Sequence, residues 1–148
     1  MFQLGEDYFF PNPNKADKNG IVAYGGDLKP LRILEAYKQG IFPWFESDKK
    51  LIWWSPNPRM ILYCDKFNVS KSFKFFLKKC DFTITFNKEF EQVINFCANI
   101  KRINQKGTWI TKGLINSFID LHKMGRAISV EVWKDDEMVG GLYGLDLD

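Results

Sequence analysis

The sequence is poor in the residues that many catalytic and metal-binding chemistries need. Its 148 residues contain one histidine, His122, and three cysteines, Cys64, Cys80 and Cys97. The cysteines are far apart and form no C-x-x-C pair, which argues against a zinc site or a disulfide framework. No G-x-S-x-G motif or acid–base triad order indicates a serine nucleophile. We therefore expect no metal and no cofactor, and reduced, mostly buried thiols in a cytoplasmic protein.

Long apolar runs and a strong net charge are also missing. No stretch approaches the roughly 18 apolar residues of a membrane helix, and the start, MFQLGEDYFFPNP, lacks the features of a signal peptide. The formal net charge is only +3, so a nucleic-acid surface would have to come from local clustering of basic residues. The length allows one domain, or a small domain and part of another.

Aromatic residues and prolines are concentrated between residues 25 and 59. Pro30 suits the first position of a helix and Gly40 suits its end. Three apolar residues repeat at helical spacing between them: Leu31, Leu34 and Tyr37. The runs IFPWF and WWSPNPR follow. Because proline restricts the backbone and aromatic rings add rigid apolar surface, this stretch is typical of a preformed pocket wall. A small aromatic core below a loop is the alternative.

A basic amphipathic helix is predicted over residues 71–80, after a short strand at 60–63 and with Ser70 as its cap. One face carries Phe73, Phe76, Leu77 and Cys80, and the other carries Lys71, Lys74 and Lys78, with Lys79 at its edge. Phe75 falls among the lysines. Either a solvated charged face or a ridge that binds phosphates explains the pattern. The basic loop from Lys101 to Gly107 has the same two explanations.

The remaining residues alternate between strand and helix patterns. A strand over 81–86 places Phe82, Ile84 and Phe86 on a buried side. Asn87 and Thr111 can each cap a helix, and Gly125 can end the second of these. Residues 127–134 and 138–145 then predict a hairpin across an acidic turn.

Six runs of the sequence occur in one order and spacing: GGDL, AYKQGIFPWF, WWSPNPR, GTWIT, LHKMGRAISVEVW and VGGLYG. Through them the sequence resembles the leucyl/phenylalanyl-tRNA–protein transferases over nearly its whole length. These enzymes move Leu or Phe from an aminoacyl-tRNA to the N-terminus of a protein that begins with Arg or Lys. The resemblance implies a monomeric cytoplasmic aminoacyltransferase that uses Leu, Phe or Met and marks its acceptor proteins for degradation.

The resemblance also implies a fold and a set of site residues. The fold is α+β, with a small N-terminal domain over residues 1–61 and an incomplete GNAT-like acyltransferase domain over residues 62–148. Trp44 and Trp109 match tryptophans that hold the 3′-terminal aminoacyl-adenosine, and core tryptophans are the alternative. Leu142 matches the wall of the amino-acid side-chain pocket. Tyr37 matches a residue near that pocket, with packing of the first helix as an equal explanation. The tRNA acceptor arm would meet four lysines: Lys71, Lys74, Lys78 and Lys79.

The sequence departs from the family pattern in two places. Phe118 stands where members often have Tyr. After Asp148 the family continues with a strand that carries Gly-Glu-Ser-Met-Phe, so no catalytic residue is assigned and Glu131 is the nearest acidic candidate. We therefore expect a C-terminally truncated form with little or no activity. The rival interpretations are a non-catalytic tRNA-binding remnant, a fragment that does not fold, and a CoA-dependent acyltransferase, although the glycine-rich pyrophosphate motif of the last is missing.

Overall fold

A computed structural model describes residues 2–101, 103 and 107–147, and the described part is a mixed α+β structure, as predicted. Its helices are α1 (Pro30–Lys38), α2 (Lys71–Leu77), α3 (Phe90–Asn99) and α4 (Lys112–Lys123). Its strands are β1 (Phe2–Leu4), β2 (Ile21–Gly25), β3 (Phe42–Pro43), β4 (Ile52–Trp54), β5 (Thr83–Phe86), β6 (Ala127–Lys134) and β7 (Glu137–Leu145). Most of the predicted basic loop lies outside the described residues. None of the helices described has the length and apolar character needed to cross a membrane.

The strands form two sheets. The first has the order β1-β2-β4-β3, with β1 parallel to β2 and the other pairs antiparallel. The second is the antiparallel sheet β5-β6-β7. Asp135 and Asp136 connect β6 to β7 with φ values of 49° and 62°. This left-handed pair is what a two-residue hairpin turn requires, and it confirms the predicted hairpin.

A hydrophobic core joins the first sheet and α1 to the helices α3 and α4. Trp53 is fully buried in the first sheet, and its Nε1 donates a hydrogen bond to the carbonyl of Gly25 at 3.0 Å. Tyr37 on α1 meets Phe118 on α4 edge to face, with ring centroids 6.2 Å apart. Residues 60–63, which lie between β4 and α2 in the chain, are exposed and form no strand. The strand predicted there is therefore wrong.

Most of the predicted helix ends are confirmed. Ser70 Oγ accepts a hydrogen bond from the Phe73 amide at 3.2 Å, and Thr111 Oγ1 accepts one from the Leu114 amide at 3.3 Å. Gly40 and Gly125 follow α1 and α4 with φ values of 72° and 71°, the left-handed conformation that glycine adopts most easily. The predicted cap at Asn87 is wrong, because its side chain accepts a hydrogen bond from the Ser129 amide instead.

The exposed side of the second sheet is the apolar one, contrary to prediction. Phe86 on β5 and Leu142 on β7 are 69% and 68% exposed, and Ile84 is also exposed. The helices α3 and α4 pack on the other face, where Ser129 and Glu131 are buried. Alternation along a strand identifies which side chains share a face, but it does not identify which face is covered.

Two of the apolar helix faces are exposed in part or in full, and one prediction about burial, that of the thiols, is wrong. In α2, which ends at Leu77, no residue is buried, and the ring of Phe76 lies 6.0 Å from the rings of both Phe73 and Phe82. Leu31 on α1 is exposed, and the buried positions of that helix are Arg32, Ile33 and Ala36. The thiols are not mostly buried, since Cys64 is exposed and Cys80 and Cys97 are half-buried.

Candidate functional site

Trp44 lies at the surface with its backbone firmly held. Its amide donates a hydrogen bond to the carbonyl of Ile52 at 3.0 Å, and its carbonyl accepts one from Trp54 Nε1 at 2.7 Å. The two indoles lie 5.6 Å apart, yet the Trp44 side chain remains 54% exposed. It borders a cleft of about 630 Å³ that Lys49, Lys50 and Ile52 also line. The indole of Trp44 is therefore accessible at the surface and is not part of the hydrophobic core.

Trp109 lies immediately before α4 and is half-buried against the hydrophobic core. The segment that contains it is joined to the Trp44 loop by Asp48. This carboxylate accepts hydrogen bonds from Thr111 Oγ1 and from the amide of Gly113, the second at 3.1 Å. The fold thus brings together two segments that are more than 60 residues apart in sequence, each with one of the predicted tryptophans.

Tyr37 and Leu142 occupy different surroundings. Burial raises the pKa of the Tyr37 phenol to about 12, although nearby Arg59 opposes the shift, so the phenol is neutral at physiological pH. The ring contacts continue from Tyr37 through Phe118 to Tyr143, whose centroid lies 5.3 Å from that of Phe118. Tyr143 is on the helix-covered face of β7, whereas its neighbour Leu142 is on the open face. The structure does not bring Leu142 and Tyr37 into one pocket.

The four predicted tRNA-binding lysines are all exposed. Lys71 and Lys74 lie within α2, and Lys78 and Lys79 follow its end. Lys79 Nζ lies 4.3 Å from the ring centroid of Phe75, which is itself exposed. Cations beside an accessible ring can contact phosphates and a base, or can simply be solvated.

Glu131 is fully buried, so it does not reach solvent or a substrate in this structure. Its carboxylate accepts hydrogen bonds from Thr85 Oγ1 at 2.6 Å, Ser129 Oγ at 2.5 Å and the Glu89 amide at 3.3 Å. Burial alone would raise the pKa of Glu131, but these hydrogen bonds outweigh it and hold the pKa below its ordinary value. The hydrogen bond from the Glu89 amide to Glu131 satisfies a free amide at the start of α3, where the N-cap residue Glu89 makes no side-chain cap of its own.

The sequence alone did not reveal Asp48, the buried Glu131 network or Arg32. Arg32 is fully buried and donates hydrogen bonds to Asp27 and to the carbonyls of residues 5–7. An arginine one position away from an apolar helical repeat gives no pattern of its own, because its partners come from other segments. Within the described residues, no group of three or more His, Cys, Asp or Glu side chains could hold a metal ion.

Comparison with known proteins gives a consistent result. A family model described as leucyl/phenylalanyl-tRNA protein transferase matches residues 61–148, and the model of its N-terminal domain matches residues 26–57. Proteins named leucyl/phenylalanyl-tRNA–protein transferase from Flavobacterium johnsoniae and Flavobacterium psychrophilum are 50% and 48% identical over 99% of this chain. One from Pseudoalteromonas atlantica is 50% identical over 98% of it. The chain spans 69%, 70% and 62% of the lengths of these three relatives.

Proposed function

The chain belongs to the leucyl/phenylalanyl-tRNA–protein transferase family, which consists of aminoacyltransferases, and we propose its specific activity from that membership. It transfers Leu, Phe or Met from an aminoacyl-tRNA to the N-terminal Arg or Lys of acceptor proteins and so marks them for degradation. The observation that carries the proposal is the identity of about half of all residues over 99% of the chain. We further propose a division at residues 61 and 62, a GNAT-like second domain, and a monomer in the cytoplasm.

The reaction needs positioning more than a protein nucleophile. The α-amine of the acceptor attacks the ester carbonyl, a C–N bond forms, the ester C–O bond breaks, and a proton passes from the amine to the released ribose hydroxyl. Because the ester is already activated, holding both substrates in line supplies much of the acceleration. The exposed indole of Trp44, and the link through Asp48 between its loop and the segment of Trp109, support binding of the terminal adenosine. The exposure of Leu142 on the open sheet face supports contact with the transferred side chain. Tyr37 would act by packing beside Phe118.

A transfer assay tests this proposal. The chain is mixed with leucyl-tRNA that carries labelled Leu and with a peptide that starts with Arg or a matched peptide that starts with Ala. Label on the Arg peptide alone would establish the activity, against the expectation of little or none from these 148 residues. Label on neither peptide would leave the family membership and remove the activity from the proposal. Label equally on both peptides would contradict the proposed acceptor specificity. RNA binding without transfer would favour a non-catalytic tRNA-binding protein.

Replacing Trp44 by Ala should lower kcat/KM in this assay by about 5- to 150-fold. The reason is the loss of one base–indole stack, which contributes ~1–3 kcal/mol. Trp44→Phe should retain part of the effect because a ring remains. Phe67→Ala, which removes another exposed aromatic side chain, is the control and should leave kcat/KM within about twofold. If Trp44→Ala behaved like this control, Trp44 would not bind substrate.

The lysines of α2 should determine how strongly tRNA binding depends on salt. Each phosphate contact that is lost lowers the slope of log K against log salt concentration by ~0.7–0.9. Changing Lys71, Lys74 and Lys78 together to Ala should therefore reduce the slope by about two to three. The control changes three exposed lysines elsewhere, Lys15, Lys18 and Lys38, and removes the same charge. Equal slopes for the two triple variants would show that α2 is only a solvated surface.

A further inference from the structure

Asp48 caps a helix that lies far away in the sequence. It belongs to the loop between β3 and β4, and the helix is α4. Thr111 Oγ1 donates a hydrogen bond to Asp48 Oδ1, and the Gly113 amide donates one to Oδ2 at 3.1 Å. A carboxylate at this position satisfies free amides of the first turn and interacts favourably with the positive end of the helix dipole. Thr111 already caps the Leu114 amide, so Asp48 adds to a local cap that is complete by itself.

The start of α4 is shaped to receive this carboxylate. A Cβ atom built on Gly113 would lie 2.6 Å from Asp48 Oδ2 and 2.9 Å from Asp48 Cγ, closer than real Cβ atoms approach such atoms. The second residue of α4 must therefore be glycine while Asp48 occupies its place. The Thr111 hydroxyl and the Gly113 amide both donate to this carboxylate, and the absence of a side chain at Gly113 leaves room for it. This arrangement defines one position for the loop relative to the helix.

Trp44 and Trp109, the tryptophans predicted to bind the aminoacyl-adenosine, are close in sequence to the residues that form the contact between Asp48 and α4. Trp44 is four residues before Asp48 and is hydrogen-bonded to β4 on its own side of the loop. Trp109 is two residues before Thr111, and the Thr111 amide donates a hydrogen bond to the Trp109 carbonyl at 3.1 Å. The Asp48 side chain is itself exposed, so removing it creates no cavity in the core. Removing the Asp48 side chain should therefore lower the free energy of unfolding only slightly.

We propose that Asp48 is a positioning residue that holds the Trp44 loop against the start of α4 and so sets the spacing between the Trp44 and Trp109 indoles. This proposal rests on the function proposed above, in which those indoles bind the terminal aminoacyl-adenosine. Asp48 does not touch the reacting atoms. It keeps the two aromatic surfaces at one separation before substrate arrives, which lowers the ordering cost of binding.

The test measures binding of an amide-linked phenylalanyl-adenosine, which cannot be hydrolysed, to the 148-residue chain by quenching of tryptophan fluorescence. Asp48→Ala should raise Kd by roughly 10-fold, a loss within the range of one base–aromatic stack. Gly113→Ala should have a similar effect, because the added methyl group displaces the same carboxylate. Asp48→Asn should have an intermediate effect, because the amide oxygen accepts one hydrogen bond but carries no charge.

Three further measurements separate positioning from general destabilisation. The Asp48→Ala, Gly113→Ala double variant should bind no more weakly than either single variant, because both changes break one contact. In the transfer assay, KM for aminoacyl-tRNA should rise while kcat stays within about twofold. Asp65→Ala, which removes another exposed carboxylate, should leave Kd unchanged.

The outcomes distinguish this inference from the function on which it rests. If the unaltered chain binds the analogue and folded Asp48→Ala binds it equally well, the positioning role is wrong and the adenosine site stands. A double variant whose effect is the sum of the single effects would also overturn the role. If the unaltered chain does not bind the analogue, the adenosine site itself is wrong and Asp48 has nothing to position.

Discussion

Arg32→Ala should lower the free energy of unfolding by about 3–5 kcal/mol, the range for removing one partner of a buried charged pair. Arg32 Nε donates a hydrogen bond to Asp27 Oδ1 at 3.0 Å, and its terminal nitrogens donate to the carbonyls of Asp7 at 2.7 Å and Gly5 at 2.9 Å. Truncation leaves these acceptors without their donor and removes a fully buried side chain. Because the Asp27 side chain is 34% exposed, water can reach it and we expect a value near the lower limit.

Urea unfolding followed by far-UV circular dichroism measures the effect of Arg32. Lys29→Ala is the matched control, because Lys29 Nζ also lies near Asp27, at 3.7 Å, but its side chain is 64% exposed. An exposed pair of this kind should contribute less than ~1 kcal/mol. Arg32→Lys should remain clearly destabilising, since an ammonium group cannot reproduce the planar fork of donors. If the Arg32 and Lys29 variants lost equal stability, burial would not be the cause.

Glu131→Ala should destabilise the protein by roughly 3 kcal/mol, because it leaves one buried donor and two partly buried donors unpaired, at up to ~1–3 kcal/mol each. The affected donors are the hydroxyls of Thr85 and Ser129 and the amide of Glu89. Glu131→Gln keeps the size of the side chain, but its amide nitrogen cannot accept a hydrogen bond, so a smaller loss of ~1–3 kcal/mol is expected. Urea unfolding at neutral pH measures both variants, and Glu137→Gln on the exposed start of β7 is the control. Equal stabilities of Glu131→Gln and the unaltered chain would contradict the network.

The stabilisation from Glu131 should depend on pH in a defined direction. Its pKa in the folded protein lies below the ordinary value of 4.5, because hydrogen bonds from Ser129 and Thr85 outweigh the opposing effect of burial. A lowered pKa means that the stabilisation is fully present above the pKa of the unfolded chain and is lost as the pH falls through the folded pKa. The difference between the unaltered chain and Glu131→Gln should thus be constant at neutral pH and shrink in acid. A difference that grew in acid would contradict this sign.

Local features of the fold were the ones that sequence analysis predicted well. Ser70 and Thr111 cap helices with their own hydroxyls, and Gly40 ends α1 in a left-handed conformation. Each of these structures depends on a few neighbouring residues, so a short window of sequence contains the whole cause. Asn87 failed as a cap because its side chain found a partner on β6, 42 residues away.

Burial was predicted less well, because it depends on which elements pack together. Phe86 and Leu142 share an apolar sheet face, yet α3 and α4 cover the opposite face with its Ser129 and Glu131. That polar face can be covered because its polar groups bind one another and the start of α3. Of the predicted site residues, Trp44 and the lysines of α2 are accessible, whereas Tyr37 packs beside Phe118 on the side of the sheet away from Leu142.

The sequence by itself determined the family, through motifs in a fixed order, and the local elements, through caps, turns and periodicity. Only the tertiary structure revealed Arg32 as a buried charge, Glu131 as a cap for α3 and Asp48 as a cap for α4. Each of these side chains is polar, which in the sequence predicts a solvated surface position. Most of their partners are backbone or hydroxyl groups from distant segments, and such groups leave no mark in the sequence because only the folded chain brings them together.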